Sequence, residues 1–380
     1  MPWQEKTIME LREEFSRLAA QEGANIRQLC RRFGISPTTG YKWLARKRQG
    51  ASLADRSRQP HHTPRRSRPE IEALIVALRM AHPAWGARKL AHRLERLGHE
   101  MPAVSTVHAV LLRYGLVTPA ASQAAQPWQR FEHPCPNDLW QMDFKGHVPM
   151  QRGRCHPLTL LDDHSRYALG LRACDNERRT TVVDHLIAIF RRYGLPARIT
   201  MDNGAPWGND GTHYTQLDVW LMRQGIRVSH SRPFHPQTQG KDERFHRTLK
   251  AEVLQGAPFT DLAHAQQAFD HWRTIYNRMR PHQALAMGVP ADRYRASSRE
   301  YVEQPAVPEY DGTDQVRTVQ ALGRMTWRGE DWQVGKAFIG ERVAVRPSID
   351  DGLYDVYWRT YRIARIDMTT RTANAGRALA

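Results

Sequence analysis

Residues 139–144 read LWQMDF, an alternation of side chains in which Asp143 takes a polar position. Such alternation predicts a β-strand, so Asp143 is expected in the middle of a strand. A second acidic residue, Asp202, ends a short β-rich run just before an Asn-Gly turn. A third, Glu243, falls within the helical run 243–250. These three carboxylates lie on three different elements that a single fold can bring together.

Carboxylates in such a set are candidate ligands for divalent cations. Mg²⁺ is a hard cation that takes oxygen ligands in octahedral geometry, and two ions about 4 Å apart need shared carboxylate oxygens. Asp143, Asp202 and Glu243 are therefore the candidate catalytic and metal-binding residues, with two Mg²⁺ expected per site and Mn²⁺ as a substitute. Asp242 adjoins Glu243 and stays open as an alternative ligand. Any one of these carboxylates, taken alone, could equally be a solvated surface charge.

These settings resemble the catalytic core of retroviral integrases and bacterial insertion-sequence transposases, the D-D-E family with an RNase H-like fold. The likeness covers residues 137–295. Its motifs are a tryptophan and an aspartate in a first strand, an aspartate before Asn-Gly, and a Pro-Gln-x-x-Gly run before a glutamate. This chain has them at Trp140 and Asp143, at Asp202 and across 236–243. The loop between the second and third carboxylates is slightly longer than is usual in the family.

The resemblance implies a D-D-E DNA transposase. Such an enzyme binds the terminal inverted repeats of a mobile element, hydrolyses the DNA at its ends to give a 3′-OH, and joins that end to target DNA by two-metal transesterification. The implied partners are double-stranded DNA, as terminal repeat and as target, and further copies of the chain in an assembly of at least two. A nuclease of the same fold that cuts without joining and a DNA-binding repressor derived from a transposase are the alternatives.

The charge of the chain favours a nucleic-acid partner. The sequence has 56 Lys and Arg against 39 Asp and Glu, a net charge of +17. Residues 1–130 hold 22 basic and 10 acidic side chains, which is +12 of that total. A basic surplus of this size favours binding to polyanions with an affinity that falls with salt. The amino-terminal third is therefore the expected DNA-binding part.

Cysteine spacing and hydropathy argue against other classes of protein. The four cysteines have neither Cys-x-x-Cys spacing nor a paired histidine motif, which disfavours a zinc finger and a disulfide framework. No run approaches the roughly 18 uncharged apolar residues of a membrane helix, and no signal peptide precedes the first charged helix. We therefore expect no membrane partner and a cytoplasmic, nucleoid-associated bacterial protein.

The first 55 residues are predicted to form a helix-turn-helix domain. An apolar stripe at 26, 29, 30 and 33 is followed by Gly34, which supplies the turn. Ser36 before Pro37 predicts the cap and first position of a recognition helix, with Trp43 and Leu44 available for packing. An ordinary basic surface on a helical bundle is the alternative. The candidate DNA contacts of this helix are Thr38, Thr39, Tyr41, Lys42, Arg46 and Lys47.

A basic linker at 56–68 and a second helix-turn-helix domain at 69–118 are expected to follow. The linker is predicted to track a DNA backbone or a minor groove, with a solvated hinge as the alternative. The second domain resembles the one that precedes the catalytic core in many such transposases. The candidate DNA contacts are Arg65, Arg66 and Arg68 in the linker and Arg88, Lys89, Ser105, Thr106 and His108 in the second domain.

After a linker at 119–136, the core is predicted to be a mixed sheet flanked by helices. Strands are expected near 138–147, 155–163, 166–174, 198–201 and 226–229, with helices at 180–193 and 215–223. Asp162 and Asp163 are predicted to form the turn between the second and third strands, although both are alternative ligands. The run from Trp272 to Leu285 is interpreted as packing that closes the fold.

Basic residues surround the third carboxylate. Lys250 lies two helical turns after Glu243 and shares its face, which makes it a candidate contact to the phosphate beside the scissile bond. A generic basic helix surface is the alternative reading. The candidate DNA contacts of this helix are Lys241, Arg244, Arg247 and Lys250.

Beyond a linker at 296–314, short β-like runs alternate with turns over 315–368 and predict a small β-barrel. It resembles the carboxy-terminal domains of integrases and of the Mu transposase, and contact with DNA or with another subunit stays open. Residues 369–380 are expected to be a disordered tail. The predicted fold class is multidomain, with all-α helix-turn-helix domains, an α/β RNase H-like integrase core and a small all-β carboxy-terminal barrel.

Overall fold

The computed structural model describes residues 7–55, 66–117, 132–202, 204, 207, 213–230 and 240–376. The chain divides into two compact units, Met1–Arg66 and Ser67–Ala380. Most of the predicted linkers 56–68 and 119–136 lies outside the described residues, and so does Arg65. No helix in the described part of the chain is both long and apolar enough to span a membrane.

The first unit is a three-helix domain. The Ser36 hydroxyl accepts a hydrogen bond from Thr39 N, and Pro37 takes the first helical position, which confirms the predicted start of the third helix. Phe15, Cys30 and Leu44 form its buried core, because each helix turns one apolar face inward. The helices are α1 (Ile8–Ala19), α2 (Ile26–Arg32) and α3 (Pro37–Arg48).

The second unit opens with another three-helix domain. Glu72 of its first helix is buried and accepts hydrogen bonds from Arg113 Nη1 at 2.5 Å and Tyr114 Oη at 3.3 Å. This buried carboxylate ties the first helix to the third, because its charge needs both partners once it is removed from water. The helices are α4 (Pro69–Ala81), α5 (Ala87–Arg96) and α6 (Val104–Arg113).

A six-stranded mixed sheet forms the centre of the second unit. Strand β3 pairs antiparallel with β1 on one side and β4 on the other, and β2 pairs with the start of β3. Strands β5 and β6 extend the sheet parallel to β1. The strands are β1 (Trp140–Phe144), β2 (Val148–Pro149), β3 (Arg154–Asp162), β4 (Ala168–Cys174), β5 (Arg198–Met201) and β6 (Arg227–His230).

Helices cover both faces of this sheet. One apolar cluster joins Trp140 and Met142 to α7 and α8, while the other joins Leu161 and Leu171 to α9 and α10. Because side chains alternate along a strand, Gln141 and Asp143 of β1 lie on the α9 face. These helices are α7 (Arg179–Tyr193), α8 (Gln216–Arg223), α9 (Gly240–Leu249), which continues as a π-helical turn (Lys250–Leu254), and α10 (Leu262–Arg278).

The turn between β3 and β4 has the structural role predicted for it. Asp162 accepts hydrogen bonds from Ser165 N and from Asn137 N, both at 2.8 Å. Asp163 accepts from His133 N and from Gln141 Nε2, both at 2.9 Å. Both carboxylates are buried and used in holding the turn, so they are not available as ligands.

The run after α9 closes the core as predicted. Glu252 is nearly buried and accepts hydrogen bonds from Trp272 Nε1 at 2.8 Å and Arg280 Nε at 2.9 Å. The Asn277 side chain bonds both the N–H and the carbonyl of Ala168 on β4. The α4–α6 domain packs on this part of the core, where Ile275 and Met279 join its apolar cluster.

The residues after α10 differ from the expected free linker. Ser297 N donates to Tyr193 O at 2.8 Å, and Arg299 Nη1 donates to Pro196 O at 2.6 Å. Tyr301 packs against the α7 side of the core. The first part of the predicted linker 296–314 is therefore bound to the core surface, because its polar and aromatic groups find partners there.

The carboxy-terminal region is all-β, as predicted. It is a five-stranded antiparallel sheet with a separate hairpin, β8–β9, that contacts the edge strands β7 and β13. The expected disordered tail from 369 is wrong for Thr372–Ala375, which pairs with β12 as a further strand. The strands are β7 (Gln315–Thr318), β8 (Arg324–Trp327), β9 (Glu330–Gln333), β10 (Arg342–Pro347), β11 (Leu353–Trp358), β12 (Tyr361–Asp367) and β13 (Thr372–Ala375).

Candidate active site

The register of two parallel strands brings Asp143 and Asp202 together. Gln141 of β1 lies opposite Thr200 of β5, and each aspartate comes two residues later, Asp143 within β1 and Asp202 directly after the end of β5. Because side chains repeat every two residues along a strand, Asp143 points to the same face of the sheet as Gln141, and an extended continuation of β5 by one residue places Asp202 on the side of Thr200. The charge of Asp202 is among the influences that raise the pKa of Asp143, as expected for two neighbouring carboxylates.

Asp143 lies in a partly desolvated position. Its side chain is 25% exposed and accepts a hydrogen bond from Phe144 N at 2.8 Å. Burial raises the pKa of Asp143 to about 7, with a further contribution from Asp202, and the hydrogen bond from Phe144 opposes the rise. A cation beside the two carboxylates would stabilise their ionised forms. Phe144 stacks on Trp207, which follows Asp202 along the chain, at 5.3 Å between ring centroids.

Asp202 directly follows β5 and is exposed. Its backbone carbonyl accepts a hydrogen bond from Nδ1 of His230, the last residue of β6, at 2.9 Å. The other ring nitrogen, Nε2, lies 3.2 Å from Oδ1 of the buried Asp218 on α8. The main chain at Asp202 is thus held from a neighbouring strand and helix.

Glu243 and Asp242 have different surroundings in the first turn of α9. Glu243 is exposed and makes no hydrogen bond or ion pair with the other described residues. Asp242 is 1% exposed, and neither of its carboxyl oxygens has a hydrogen-bond partner among the described residues. Burial raises the pKa of Asp242 well above its usual range, with further contributions from Asp143 and Asp163. The Asp242 carboxyl is therefore withdrawn from solvent, whereas that of Glu243 is accessible.

The described residues bring two of the three expected ligands together. No three His, Cys, Asp or Glu side chains in this part of the protein converge closely enough to hold a metal ion. The donor chemistry nevertheless fits a hard divalent cation, because Asp143 and Asp202 offer carboxylate oxygens on one face of the sheet. Glu243 lies on α9, the helix that packs against β1, and directly follows the buried Asp242.

One turn after Asp242, a histidine enters the same region. His246 Nε2 lies 2.9 Å from the Thr159 hydroxyl, and that hydroxyl donates to the backbone carbonyl of Asp143 at 2.9 Å. Burial, with Lys145 as a second influence, lowers the pKa of His246 to about 3. The ring is therefore neutral near pH 7, and its 3.9 Å approach to the Asp143 carboxylate is not an ion pair.

Most predicted DNA contacts lie at the surface. Thr39 and Thr106 are half-buried, and the Thr39 hydroxyl is 2.9 Å from Ser36 Oγ. Arg46 is also half-buried, because its guanidinium lies over the Trp43 ring and donates to Ala54 O at 3.1 Å. The exposed members are Thr38, Tyr41, Lys42, Lys47, Arg66, Arg68, Arg88, Ser105, His108, Arg244, Arg247 and Lys250.

Two predicted DNA contacts have protein surroundings instead. Lys241 forms an ion pair with the buried Asp163 and donates to its backbone carbonyl at 3.2 Å. Lys89 is half-buried near Arg280 and Glu252, and burial, aided by Arg280, lowers its pKa to about 7. Because neither ammonium group lies on an open surface, Lys89 and Lys241 are poorly placed to contact DNA.

The sequence reasoning missed the residues that support the aspartates. His246 follows Glu243 by three positions, a spacing that places it over the same helical turn. His230 ends the predicted strand next to β5, where a parallel neighbour of Met201 had to lie. Both positions could have been identified from the spacing of residues along their elements. The sequence alone does not give the strand pairing that this step needs.

Comparisons with known proteins match successive parts of the chain. Residues 11–61 match a helix-turn-helix domain and 39–111 a homeodomain-like domain. Residues 133–236 and 224–290 match two models of the integrase core domain. Residues 314–374 match the C-terminal domain of IS481 family transposases.

Several relatives come from bacterial insertion elements. The chain is 28% identical over 247 residues to an uncharacterised 39.2 kDa protein of insertion element IS476 from Xanthomonas euvesicatoria, covering 63% of this chain and 68% of that protein. It is 29% identical over 176 residues to a 31.7 kDa protein of insertion element IS407 from Burkholderia multivorans, covering 45% of this chain and 60% of that protein.

A solved structure of the HTLV-2 integrase catalytic core domain in complex with magnesium also matches. It is 16% identical, covers 43% of this chain and 99% of that one, and has a TM-score of 0.34. The family models, by contrast, follow one another from the helix-turn-helix region through the integrase core to the carboxy-terminal domain. The chain thus has the domain succession of insertion-element transposases, and its carboxy-terminal region matches the C-terminal domain of the IS481 family.

Proposed function

We propose that this transposase binds the terminal inverted repeats of its element, cuts the DNA at the element ends to expose a 3′-OH, and joins that end to target DNA. The observation that carries the proposal is the pair of aspartates, Asp143 and Asp202, aligned by the register of β1 and β5. The matches to integrase-core and transposase domains support the same reaction class.

Asp143, Asp202 and Glu243 are the proposed ligands of two Mg²⁺ ions, which Mn²⁺ can replace. When bound, such ions activate the attacking oxygen and stabilise the leaving oxygen. Glu243 is preferred over Asp242 because its carboxylate is accessible, whereas that of Asp242 is buried and favours its neutral form. The chain contributes by fixing Asp143 within a strand and Asp202 at a strand end.

The proposed reaction has two phosphoryl-transfer steps. In the first, a water oxygen attacks phosphorus at the element end, the bond to the 3′ oxygen breaks, and that oxygen takes up a proton to become the 3′-OH. In the second, this hydroxyl loses its proton and attacks a target phosphate, and a 3′ oxygen of the target leaves. The number of phosphodiester bonds is conserved in the second step, so no covalent protein intermediate is needed.

The exposed basic residues provide the proposed DNA surfaces. In α3, Thr38 and Tyr41 lie toward the start of the helix while Lys42 and Lys47 follow, an order that suits base contacts and then phosphate contacts. Arg247 follows Glu243 by four positions on α9 and shares its face, and Lys250 is the first residue of the π-helical turn that continues the helix. We propose that they position the phosphate beside the scissile bond. The other exposed candidates are Arg66, Arg68, Arg88, Ser105, His108 and Arg244.

The full-length protein tests this proposal on duplexes that carry the inverted repeats flanking its gene. With Mg²⁺ or Mn²⁺, we expect a nick at the element end and joining to a supercoiled plasmid, and chelation should abolish both. Asp143→Asn should reduce both steps by at least ~10³-fold, since a metal ligand supplies several kcal/mol to the transition state. Asp184→Asn, an exposed carboxylate on α7 across the sheet, is the matched control and should stay active.

Two outcomes would favour the alternatives. Cutting by the wild type without any joined product would indicate a nuclease of the same fold. Specific binding with neither cutting nor joining, at any metal concentration, would indicate a DNA-binding repressor. Retention of a tenth or more of wild-type joining by Asp143→Asn would remove that residue from the site.

A further inference from the structure

The backbone carbonyl of Asp202 has a partner outside the ladder of strand hydrogen bonds. Strand β5 ends at Met201, which lies opposite His230 in the parallel register with β6. His230 is the last residue of its own strand, and its ring reaches forward to donate from Nδ1 to Asp202 O at 2.9 Å. The side chain of the histidine therefore continues the connection between the strands by one residue after the sheet has ended.

The ring of His230 is itself held in place. Its side chain is 5% exposed, and Nε2 lies 3.2 Å from Oδ1 of Asp218, whose side chain is fully buried. The other carboxylate oxygen of Asp218 accepts a hydrogen bond from Thr215 N at 2.7 Å, as part of a capping box at the start of α8. A chain of contacts therefore runs from the first turn of α8 through His230 to the main chain of Asp202.

Helix α8, which carries Asp218, is held in place by packing on two sides. Its Leu217 and Leu221 are buried in the cluster between the sheet and α7, while Val219 and Met222 are buried against the carboxy-terminal sheet. A helix packed on two sides has little freedom to shift, because interiors are close-packed. The position of Asp218 is fixed accordingly.

We propose that His230, oriented by Asp218, is a positioning residue that holds Asp202 in the geometry needed to bind a divalent cation. The inference rests on the proposed function, since it assigns Asp202 as a ligand. The direction of the Asp202 carboxylate depends on the backbone angles at that residue, and the hydrogen bond to its carbonyl restricts them. A misplacement of about 1 Å at a reacting centre can cost on the order of 10²-fold in rate.

Three substitutions of His230 in the full-length protein separate its two contacts. His230→Asn places an amide N–H near the position of Nδ1 and keeps a donor for Asp202. His230→Gln extends toward the position of Nε2, so it keeps the contact with Asp218 and loses the donor to the carbonyl. His230→Phe fills the space and removes both contacts.

Ser229→Ala is the matched control. Ser229 is the neighbouring residue of β6, and its hydroxyl lies 2.6 Å from Thr200 Oγ1 on β5. The hydroxyl also lies 3.5 Å from Ile199 O on β5. Ser229→Ala therefore removes side-chain contacts between the same two strands and leaves the hydrogen bond from His230 to the Asp202 carbonyl in place. Thermal unfolding of all four variants reports any general loss of stability.

The primary readout is Mn²⁺ binding, followed through the electron paramagnetic resonance signal of the free ion, with joining kinetics as the second. We expect His230→Phe and His230→Gln to weaken Mn²⁺ binding and to lower kcat by ~10–100-fold, the range found for residues that orient metal ligands. KM for DNA should stay unchanged. His230→Asn should recover most of both quantities, and Ser229→Ala should match the wild type.

The outcomes distinguish this inference from the function on which it rests. If His230→Phe binds Mn²⁺ and joins DNA like the wild type, while Asp202→Asn loses both, the positioning role is overturned and the function stands. If the losses in His230→Phe are matched by Ser229→Ala, the effect is general stability and the role is again overturned. A wild-type protein with no Asp202-dependent Mn²⁺ binding and no joining would overturn the proposed function itself.

Discussion

The ring of His246 lies 3.9 Å from the carboxylate of Asp143, across the contact between α9 and β1. The Thr159 hydroxyl donates its only proton to the Asp143 carbonyl, so in its contact with His246 Nε2 it is the acceptor. Through Thr159, His246 therefore helps to fix the main chain of Asp143 from the α9 side of the sheet. His230, by contrast, contacts the main chain of Asp202 and is itself held by Asp218 of α8.

His246→Gln should retain much of the joining activity, because the glutamine amide can reach the position of Nε2 and donate to Thr159. His246→Leu removes that donor and leaves the Thr159 hydroxyl under-satisfied in a buried position, which costs about 1–3 kcal/mol. We expect ~10-fold or greater loss of joining for the leucine variant, measured on purified full-length protein. Equal activity of the two variants would show that the hydrogen bond does not matter to the site.

Glu243→Gln should abolish cutting and joining while leaving binding to the terminal repeat nearly intact, because an amide is a weaker ligand for a hard cation. Asp242→Asn should keep the chemistry and leave the melting temperature nearly unchanged, since a neutral amide replaces a buried carboxyl of similar size that already favours its neutral form. End-cleavage assays and thermal unfolding measure both effects. A dead Asp242→Asn beside an active Glu243→Gln would reverse the assignment.

The sequence was sufficient to predict the elements that carry the first two carboxylates. Alternation around Asp143 and the Asn-Gly turn after Asp202 are local signals, and the strands lie where these signals place them. The supporting residues depended on pairing that no local pattern specifies. His230 meets Asp202 only because β6 lies beside β5 in parallel register, and Lys241 meets Asp163 only because α9 packs over the β3–β4 turn.

In the carboxy-terminal region, too, strand pairing determines a feature that the local sequence pattern does not predict. Short alternating runs were enough to predict an all-β domain, but the final strand at Thr372–Ala375 has few apolar residues and resembled a tail. It is ordered by its pairing with β12, which satisfies backbone groups regardless of side chain.

Lys42→Ala with Lys47→Ala should weaken binding of the full-length protein to its terminal repeat and to other duplexes alike. Both side chains are exposed on α3, and each lost phosphate contact lowers the slope of log affinity against log salt by about 0.9. Arg46→Ala differs, because it removes contacts to Trp43 and Ala54 and should lower the melting temperature as well. Fluorescence anisotropy at several salt concentrations measures the slopes. An unchanged slope in the double variant would exclude α3 as a phosphate-binding surface.

Gly40→Ala should destabilise the first helix-turn-helix domain. A Cβ at Gly40 would clash with Cys30 Sγ and approach Phe15 Cζ to 2.9 Å, and both of those side chains are 1% exposed. Overpacking of this kind costs about 1–3 kcal/mol, which exceeds the gain of about 1 kcal/mol from replacing glycine within a helix. Gly312→Ala, where a Cβ has no neighbour within 4 Å, is the control and should leave unfolding unchanged. A melting temperature equal to that of the control would show that Cys30 and Phe15 yield without cost.

The active species should contain at least two chains, because joining two element ends in concert needs two active sites and each chain carries one set of Asp143, Asp202 and Glu243. The α4–α6 domain is tied to the core by Arg96, which donates to Asp292 at 2.8 Å, whereas Met1–Arg66 forms a separate unit. We therefore expect the first helix-turn-helix unit to be able to bind an end that another chain cuts. Mixing Asp143→Asn protein with the Lys42→Ala, Lys47→Ala variant tests this on paired-end substrates. Joining recovered above the level of either variant alone would support action in trans, and a wild-type protein that joins paired ends as a monomer would defeat the prediction.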